Sequence, residues 1–275
     1  MSKKSKVITG IIIAVLALLF AGGYLYYTGA LKKFFPKKAF ALEEYQTGEM
    51  TEIEPEEYVP DLILVNKEYT IDAKYDSGIV FYRNTDVLMN SRIVDAYGEM
   101  SDYVNENLED KLYVSSTYRS YEDQGRVLEE EGEEVAALPG QSEHQTGLAV
   151  DVYVMYHAGM AFIQSPVGKY LNEHCQDFGF IVRYPEGHKD VTGFDYEPWH
   201  LRYVGHPHAE IIMDNDITLE EYLGSMTPGK WYSYGDYVIG LCSEDDIMIP
   251  SELADKDLLY SRDNRGNVVV WGKII

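Results

Sequence analysis

Two short stretches carry the residues that could do chemistry. They are Ser142-Glu143-His144-Gln145-Thr146-Gly147-Leu148-Ala149-Val150-Asp151 and, about fifty residues on, Glu197-Pro198-Trp199-His200. Together they supply two imidazoles and one carboxylate, inside an apolar run, that could bind a metal, plus another carboxylate three residues before the last imidazole. Zinc enzymes commonly use three ligands of the His and Asp/Glu type and leave a fourth position to water, whose pKa falls to about 7. The inventory therefore assigns His144, Asp151 and His200 to a metal and Glu197 to proton transfer. A charge at Asp151, within Leu148–Val154, is costly unless it is paired or metal-bound, which favours the ligand role. His157, His174, His188, His206 and His208 lack such a context and are read as ordinary surface or core residues.

The elements that must position these groups follow from pattern. Leu148–Val154 has the branched and aromatic character of a strand. Pro198 argues against a helix, so Glu197 and His200 do not share a helical face as they would in a His-Glu-x-x-His peptidase, and an extended segment is expected. Lys111–Ser116 and Phe180–Tyr184 read as further strands, and Asp61–Val65 as a short buried strand that opens the folded domain. Apolar residues at three- and four-residue steps predict an amphipathic helix between Asp86 and Leu108. Tyr121–Leu138 reads as an exposed helix stopped by Pro139-Gly140. Ser165 should cap a helix with Pro166 in its first turn, running to about Phe178, and a short helix is expected over 216–225. Tyr237–Ile239 and Val268–Trp271 read as strands, with Asn264–Asn267 a hairpin turn.

Three ordered motifs then carry a resemblance. Tyr118-Arg119-Ser120, Ser142-x-His144-x-x-Gly147-x-Ala149-x-Asp151 and Glu197-x-Trp199-His200-x-Arg202-Tyr203-Val204-Gly205 make residues 60–206 similar to VanY-type D-alanyl-D-alanine carboxypeptidases, zinc peptidases that share a fold with the hedgehog signalling domain. The resemblance implies an α+β fold, a small mostly antiparallel sheet with flanking helices. It also implies zinc on His144, Asp151 and His200, with Glu197 as general base and acid. Arg119 matches the arginine that meets the substrate near the scissile peptide, and Ser142 and Gln124 match positions lining the substrate site. The implied reaction removes the terminal D-alanine of peptidoglycan stem peptides. An L,D-carboxypeptidase, a wall endopeptidase or a non-catalytic wall-binding module are the other readings of the same inventory.

The amino terminus adds a location. Val7–Tyr27 is a 21-residue run without a charged side chain, preceded by Lys3, Lys4 and Lys6. As a helix it spans roughly 30 Å, the thickness of a bilayer core, and it reads as an uncleaved signal anchor with the bulk of the chain outside the cell. Lys32, Lys33, Lys37 and Lys38 on the far side favour the opposite orientation, and Thr28-Gly29-Ala30 offers a cleavage site. The expected organisation is residues 1–27 as cytoplasmic tip and transmembrane helix, 28–60 as spacer, 61–225 as zinc peptidase domain and 226–275 as a β appendage. In that appendage Trp231, Tyr232, Tyr234, Tyr237 and Trp271 form either an aromatic binding surface or a small core.

Charge excludes one class of partner. The first 38 residues hold seven Lys and no acid, so the remainder carries 16 Lys+Arg against 46 Asp+Glu, a net charge of −30. Such a surface repels nucleic acid. Cys175 and Cys242 are the only cysteines, and the sequence leaves open whether they pair.

Overall fold

A strand that buries both the edge of a metal site and a hydrophobic core must alternate, and Ala149–Tyr153 does. Val150, Val152 and, just beyond the strand, Val154 enter the core, whereas Asp151 and Tyr153 turn to the other face. A computed structural model describes residues 40–132 and 136–274. The segment read as a transmembrane anchor lies outside them; among the described residues no helix is long and apolar enough to cross a membrane.

The strands in chain order are β1 (Glu43–Glu44), β2 (Met50–Glu52), β3 (Ile79–Phe81), β4 (Leu88–Asn90), β5 (Tyr113–Ser116), β6 (Ala149–Tyr153), β7 (Phe180–Val182), β8 (His200–Tyr203), β9 (Trp231–Tyr234), β10 (Tyr237–Ser243), β11 (Met248–Pro250), β12 (Leu259–Arg262) and β13 (Asn267–Lys273). The helices are α1 (Val94–Asn107), α2 (Tyr121–Glu131), α3 (Pro166–His174), α4 (Lys189–Thr192), α5 (His208–Asp214) and α6 (Leu219–Ser225). The class is α+β, with every strand pair among the described residues antiparallel. One four-stranded sheet, ordered β5-β6-β8-β7, carries the chemistry. Its inner face packs Val150, Val152, Leu201, Phe180 and Val182 against Tyr97, Met100 and Val104 of α1 and Val167 and Leu171 of α3. Ser165 caps α3 as expected, accepting from the Gly168 amide.

A five-stranded sheet, β1-β9-β10-β13-β12, forms a second core around Trp231, Val238, Val268 and Val270. Trp231 lies so close over Gly240 that a Cβ there would sit 2.5 Å from the indole, so only glycine fits. Trp231, Tyr232 and Trp271 are buried and only Tyr234 and Tyr237 are partly exposed, so the five aromatics mainly fill a core rather than form a binding surface. Cys175 and Cys242 are both free and buried, one in each core.

Several expectations need correction. Asp61–Val65 is buried but forms no strand. Arg202 donates to the Asp61 and Ile63 carbonyls, and Arg92 donates twice to the Asp61 carboxylate, so side chains take the groups a neighbouring strand would have used. The segment between Asp86 and Leu108 splits into β4, a 3-10 turn and α1, and the helix begun at Tyr121 ends at Glu131. Within the segment read as a spacer, β1 pairs with β9 and β2 with β11, and Tyr45, Met50, Ile53 and Tyr58 pack on the second core. Acidic composition concealed this, because strand pairing uses the backbone and only alternate side chains need be apolar.

This pairing sets the first prediction. A chain starting at residue 61 should be less stable to urea than one starting at residue 40 by on the order of 3 kcal/mol, for the loss of four partly buried apolar side chains. Equal stability of the two would return residues 43–58 to the role of a spacer.

Candidate metal centre

His144 sits in a 3-10 turn, Glu143–Thr146, that ends at Gly147 with φ 70°. A Cβ on Gly147 would lie 2.4 Å from the Ile79 side chain and 2.8 Å from the Asn90 amide, and that amide donates to the Gly147 carbonyl at 2.9 Å. The glycine thus clamps the turn against β4 and fixes where the imidazole stands. Asp151 is the central residue of β6, and His200, the first of β8, lies directly opposite it. Directly paired residues share a face, so strand register alone brings the carboxylate and the second imidazole together.

The ring orientations are set from behind. His144 Nδ1 lies 2.8 Å from the Thr117 carbonyl, which can only accept, so this nitrogen carries the hydrogen and Nε2 presents its lone pair. That Nε2 faces Asp151 Oδ2 at 3.4 Å, and His200 Nδ1 faces Asp151 Oδ1 at 3.0 Å. Asp151 Oδ1 nevertheless makes no hydrogen bond of good geometry despite being buried. Two imidazoles converging on a buried carboxylate, one of whose oxygens lacks a donor of good geometry, suit a cation among them. The three ligand atoms lie within 4.8 Å of one another, close enough for one ion to reach all of them, so the residues present fit a divalent metal.

Electrostatics agree with that reading. Burial pushes the Asp151 carboxyl up, but His144 and His200 outweigh it and hold it well below the usual carboxylate range. Burial alone would lower His200; its carboxylate neighbours, Asp151 first and then Glu143, instead push it up to about 9. Burial also lowers His144, more than Asp151 raises it.

Behind His200 lies a buried ion cluster. The Glu143 carboxylate, fully enclosed, accepts from Arg183 Nε at 2.8 Å and Arg202 Nη1 at 2.6 Å, and Arg183 also pairs with Glu220. Burial raises the Glu143 carboxyl, and the two guanidiniums overcome that and hold it strongly ionised. Its Oε2 is 3.9 Å from His200 Nε2, beyond a hydrogen bond, where it acts as a charge that favours the hydrogen on Nε2 and leaves Nδ1 for the metal.

The remaining candidates line the same small cleft of about 180 Å³. Glu197 Oε2 is 3.7 Å from His200 Nδ1, and burial pushes its carboxyl up, with Asp151 adding to the rise and His200 opposing it. Arg119 is held by its amide on the His144 carbonyl and by Nη1 on Gln124 Oε1 at 3.1 Å, and Gln124 Nε2 donates in turn to the Ala137 carbonyl. Ser142 lines the cleft next to His144. The structure thus brings together His144, Asp151, His200, Glu197, Arg119, Gln124 and Ser142. Tyr184 and Phe194 also face the cleft, and with Glu143 and Arg183 they escaped the sequence reading. A wider cleft of about 1210 Å³, lined by Tyr58, Tyr75, Arg92 and Arg262, contains none of the site residues.

Comparison with known proteins agrees with this geometry. Residues 86–206 match the family model VanY, D-alanyl-D-alanine carboxypeptidase. YodJ of Bacillus subtilis (strain 168), described only provisionally as a carboxypeptidase, is 33% identical over 207 residues, covering 66% of this chain and 76% of YodJ. Among solved structures, the vancomycin-resistance D,D-dipeptidase VanXYg in complex with a D-Ala-D-Ala phosphinate analog superposes with a TM-score of 0.69 at 29% identity, over 82% of this chain and 99% of that one. The LdcB LD-carboxypeptidase superposes with a TM-score of 0.55 at 36% identity, over 61% and 87%.

Glu143→Gln should destabilise the protein by about 3–5 kcal/mol in urea unfolding, because two buried guanidiniums lose their shared counter-charge. Asp102→Asn, which removes an exposed pair with Arg83, should leave stability almost unchanged. Equal effects would mean that the buried cluster does not hold the site.

Proposed function

The chain belongs to the VanY family of D-alanyl-D-alanine carboxypeptidases, and we propose on that premise that it is a zinc-dependent D,D-carboxypeptidase that removes the terminal D-alanine from peptidoglycan stem peptides. The observation that carries the proposal is the convergence of His144 Nε2, His200 Nδ1 and a hydrogen-bond-poor Asp151 carboxylate, with Glu197 at the rim. Two imidazoles and a carboxylate suit zinc. When bound, such a metal supplies Lewis acidity at the scissile carbonyl and makes water acidic near neutral pH.

The chain's own groups supply the rest. Glu197, partly buried and with its carboxyl pushed up, is placed to accept a proton from water and return it to the leaving amine. Arg119, braced by Gln124, offers a permanent cation to the developing oxyanion or to the terminal carboxylate of the substrate. Ser142 lies beside His144 to receive a polar group of the substrate. Tyr184 and Phe194 narrow the cleft and displace water from it, and its small volume suits the last residues of a chain rather than its middle. Val7–Tyr27 is read as the anchor that places the catalytic domain outside the membrane. The likeness to LdcB favours an L,D-carboxypeptidase as the second reading of the same site.

The deciding experiment incubates the zinc-loaded chain with a peptide ending in D-Ala-D-Ala and with one ending in L-Lys-D-Ala, and follows D-alanine by mass spectrometry. Release from the first alone is the expected result; release from the second alone would make this an L,D-enzyme, and release from neither would overturn the carboxypeptidase assignment. Glu197→Gln should retain its metal and lose at least about a hundredfold in turnover on the preferred peptide. Full turnover in that variant would remove Glu197 from the reaction.

A further inference from the structure

The site face of the four-stranded sheet has one closed end and one open end. Ala149, Asp151 and Tyr153 alternate onto this face along β6, and His200 and Arg202 along β8. At the Ala149 and Arg202 end the face is sealed, because Arg202 is fully buried under Glu143 and the carbonyls of Asp61 and Ile63. At the other end Tyr153 stands directly across from Tyr113 of the edge strand β5, their rings stacked at 5.2 Å and 24° and only half-buried. A substrate whose terminal residues fill the cleft at Arg119 must leave the metal centre by an open side, and this end offers one.

The chain beyond Tyr153 is unusual. Val154 and His157 bridge across a tight turn whose tip is Met155-Tyr156. Tyr156 has φ 68°, in the left-handed region where the third position of a turn normally takes glycine, and a bulky residue there is strained. It is also 93% exposed, with Met155 and Met160 beside it in sequence and half exposed. A strained backbone that presents an aromatic ring to solvent gains nothing for the fold, which points to use of the ring.

We infer that Tyr113, Tyr153 and the Met155-Tyr156 turn form an upstream ledge of the cleft that binds the saccharide-bearing end of the peptide substrate by stacking. The inference rests on the peptidoglycan reading given above. Distance supports the assignment: the chain from Asp151 through the end of β6 to Met155 in the turn spans at most about 13 Å. Four residues of extended substrate span about the same. The end of a stem peptide that joins the sugar thus arrives over the turn when its far end lies at the metal. Sugar rings present apolar C–H faces, which aromatic rings receive well, and Tyr153 follows the cleft-lining Asp151 two residues on along the same face of β6. A bilayer surface is a poorer occupant, since the net charge of −30 outside the first 38 residues repels anionic lipid.

The test uses the full zinc-loaded chain carrying Glu197→Gln, so that binding is read without turnover. Calorimetry compares an N-acetylated D-Ala-D-Ala dipeptide with a longer peptide of the same terminus that carries an amino sugar at its other end. The longer ligand should bind about three- to tenfold more tightly, the range expected of one or two stacking contacts. Adding Tyr156→Gly should abolish that gain, leave dipeptide binding unchanged and raise the melting temperature, because glycine relieves the strained turn. Tyr153→Ala should reduce the gain in the same way. A gain that survives both substitutions, or an equal loss for both ligands, overturns the ledge and leaves the carboxypeptidase reading intact. Binding of neither ligand overturns the substrate reading and the ledge with it. A dimer that dissociates on Tyr156→Gly would instead make the strip an interface between copies of this chain.

Discussion

A carboxylate in the middle of a buried strand is the constraint on which this structure turns. Asp151 stands between apolar valines, two imidazoles aim lone pairs at it, and one of its oxygens has no donor of good geometry. Left as it is, this arrangement would cost several kcal/mol. His144, Asp151 and His200 stand close enough together for one divalent cation to fit among them. The surrounding structure serves to hold them there.

The support is built in layers. The Thr117 carbonyl fixes His144, strand register fixes His200 opposite Asp151, and Glu143 stands behind His200 as a second negative charge. Glu143 itself is tolerated in the interior only because Arg183 and Arg202 share it. Arg202 in turn reaches the Asp61 and Ile63 carbonyls, so the buried Asp61–Val65 segment is tied to the back of the site. Such networks stabilise little in net terms, yet they allow one arrangement and make alternatives expensive.

How much of this was legible in the sequence depended on how local the cause was. The alternation of Val150, Asp151 and Val152, the cap at Ser165 and the helix-excluding Pro198 are decided within a few residues, and the strands and cap appear where they were expected. The convergence of His144, Asp151 and His200 was readable because their spacing is tied to a turn and two strands. Asp61–Val65 was misread because its conformation is fixed by Arg92 and Arg202, far along the chain. β1 and β2 were hidden in acidic sequence because their partners are backbone groups some two hundred residues away. The role of Glu143 could not be seen beside His144, since nothing local marks a carboxylate as buried; Arg202 on β8 and Arg183 just beyond β7 were the only signal.

The central claim is that His144, Asp151 and His200 hold one metal ion. The most direct measurement dialyses the full chain against zinc, removes the excess and determines bound metal beside an Asp151→Asn variant whose circular dichroism matches the wild type. The wild-type chain should retain about one zinc and the variant almost none. Equal loading of the two proteins would contradict the claim.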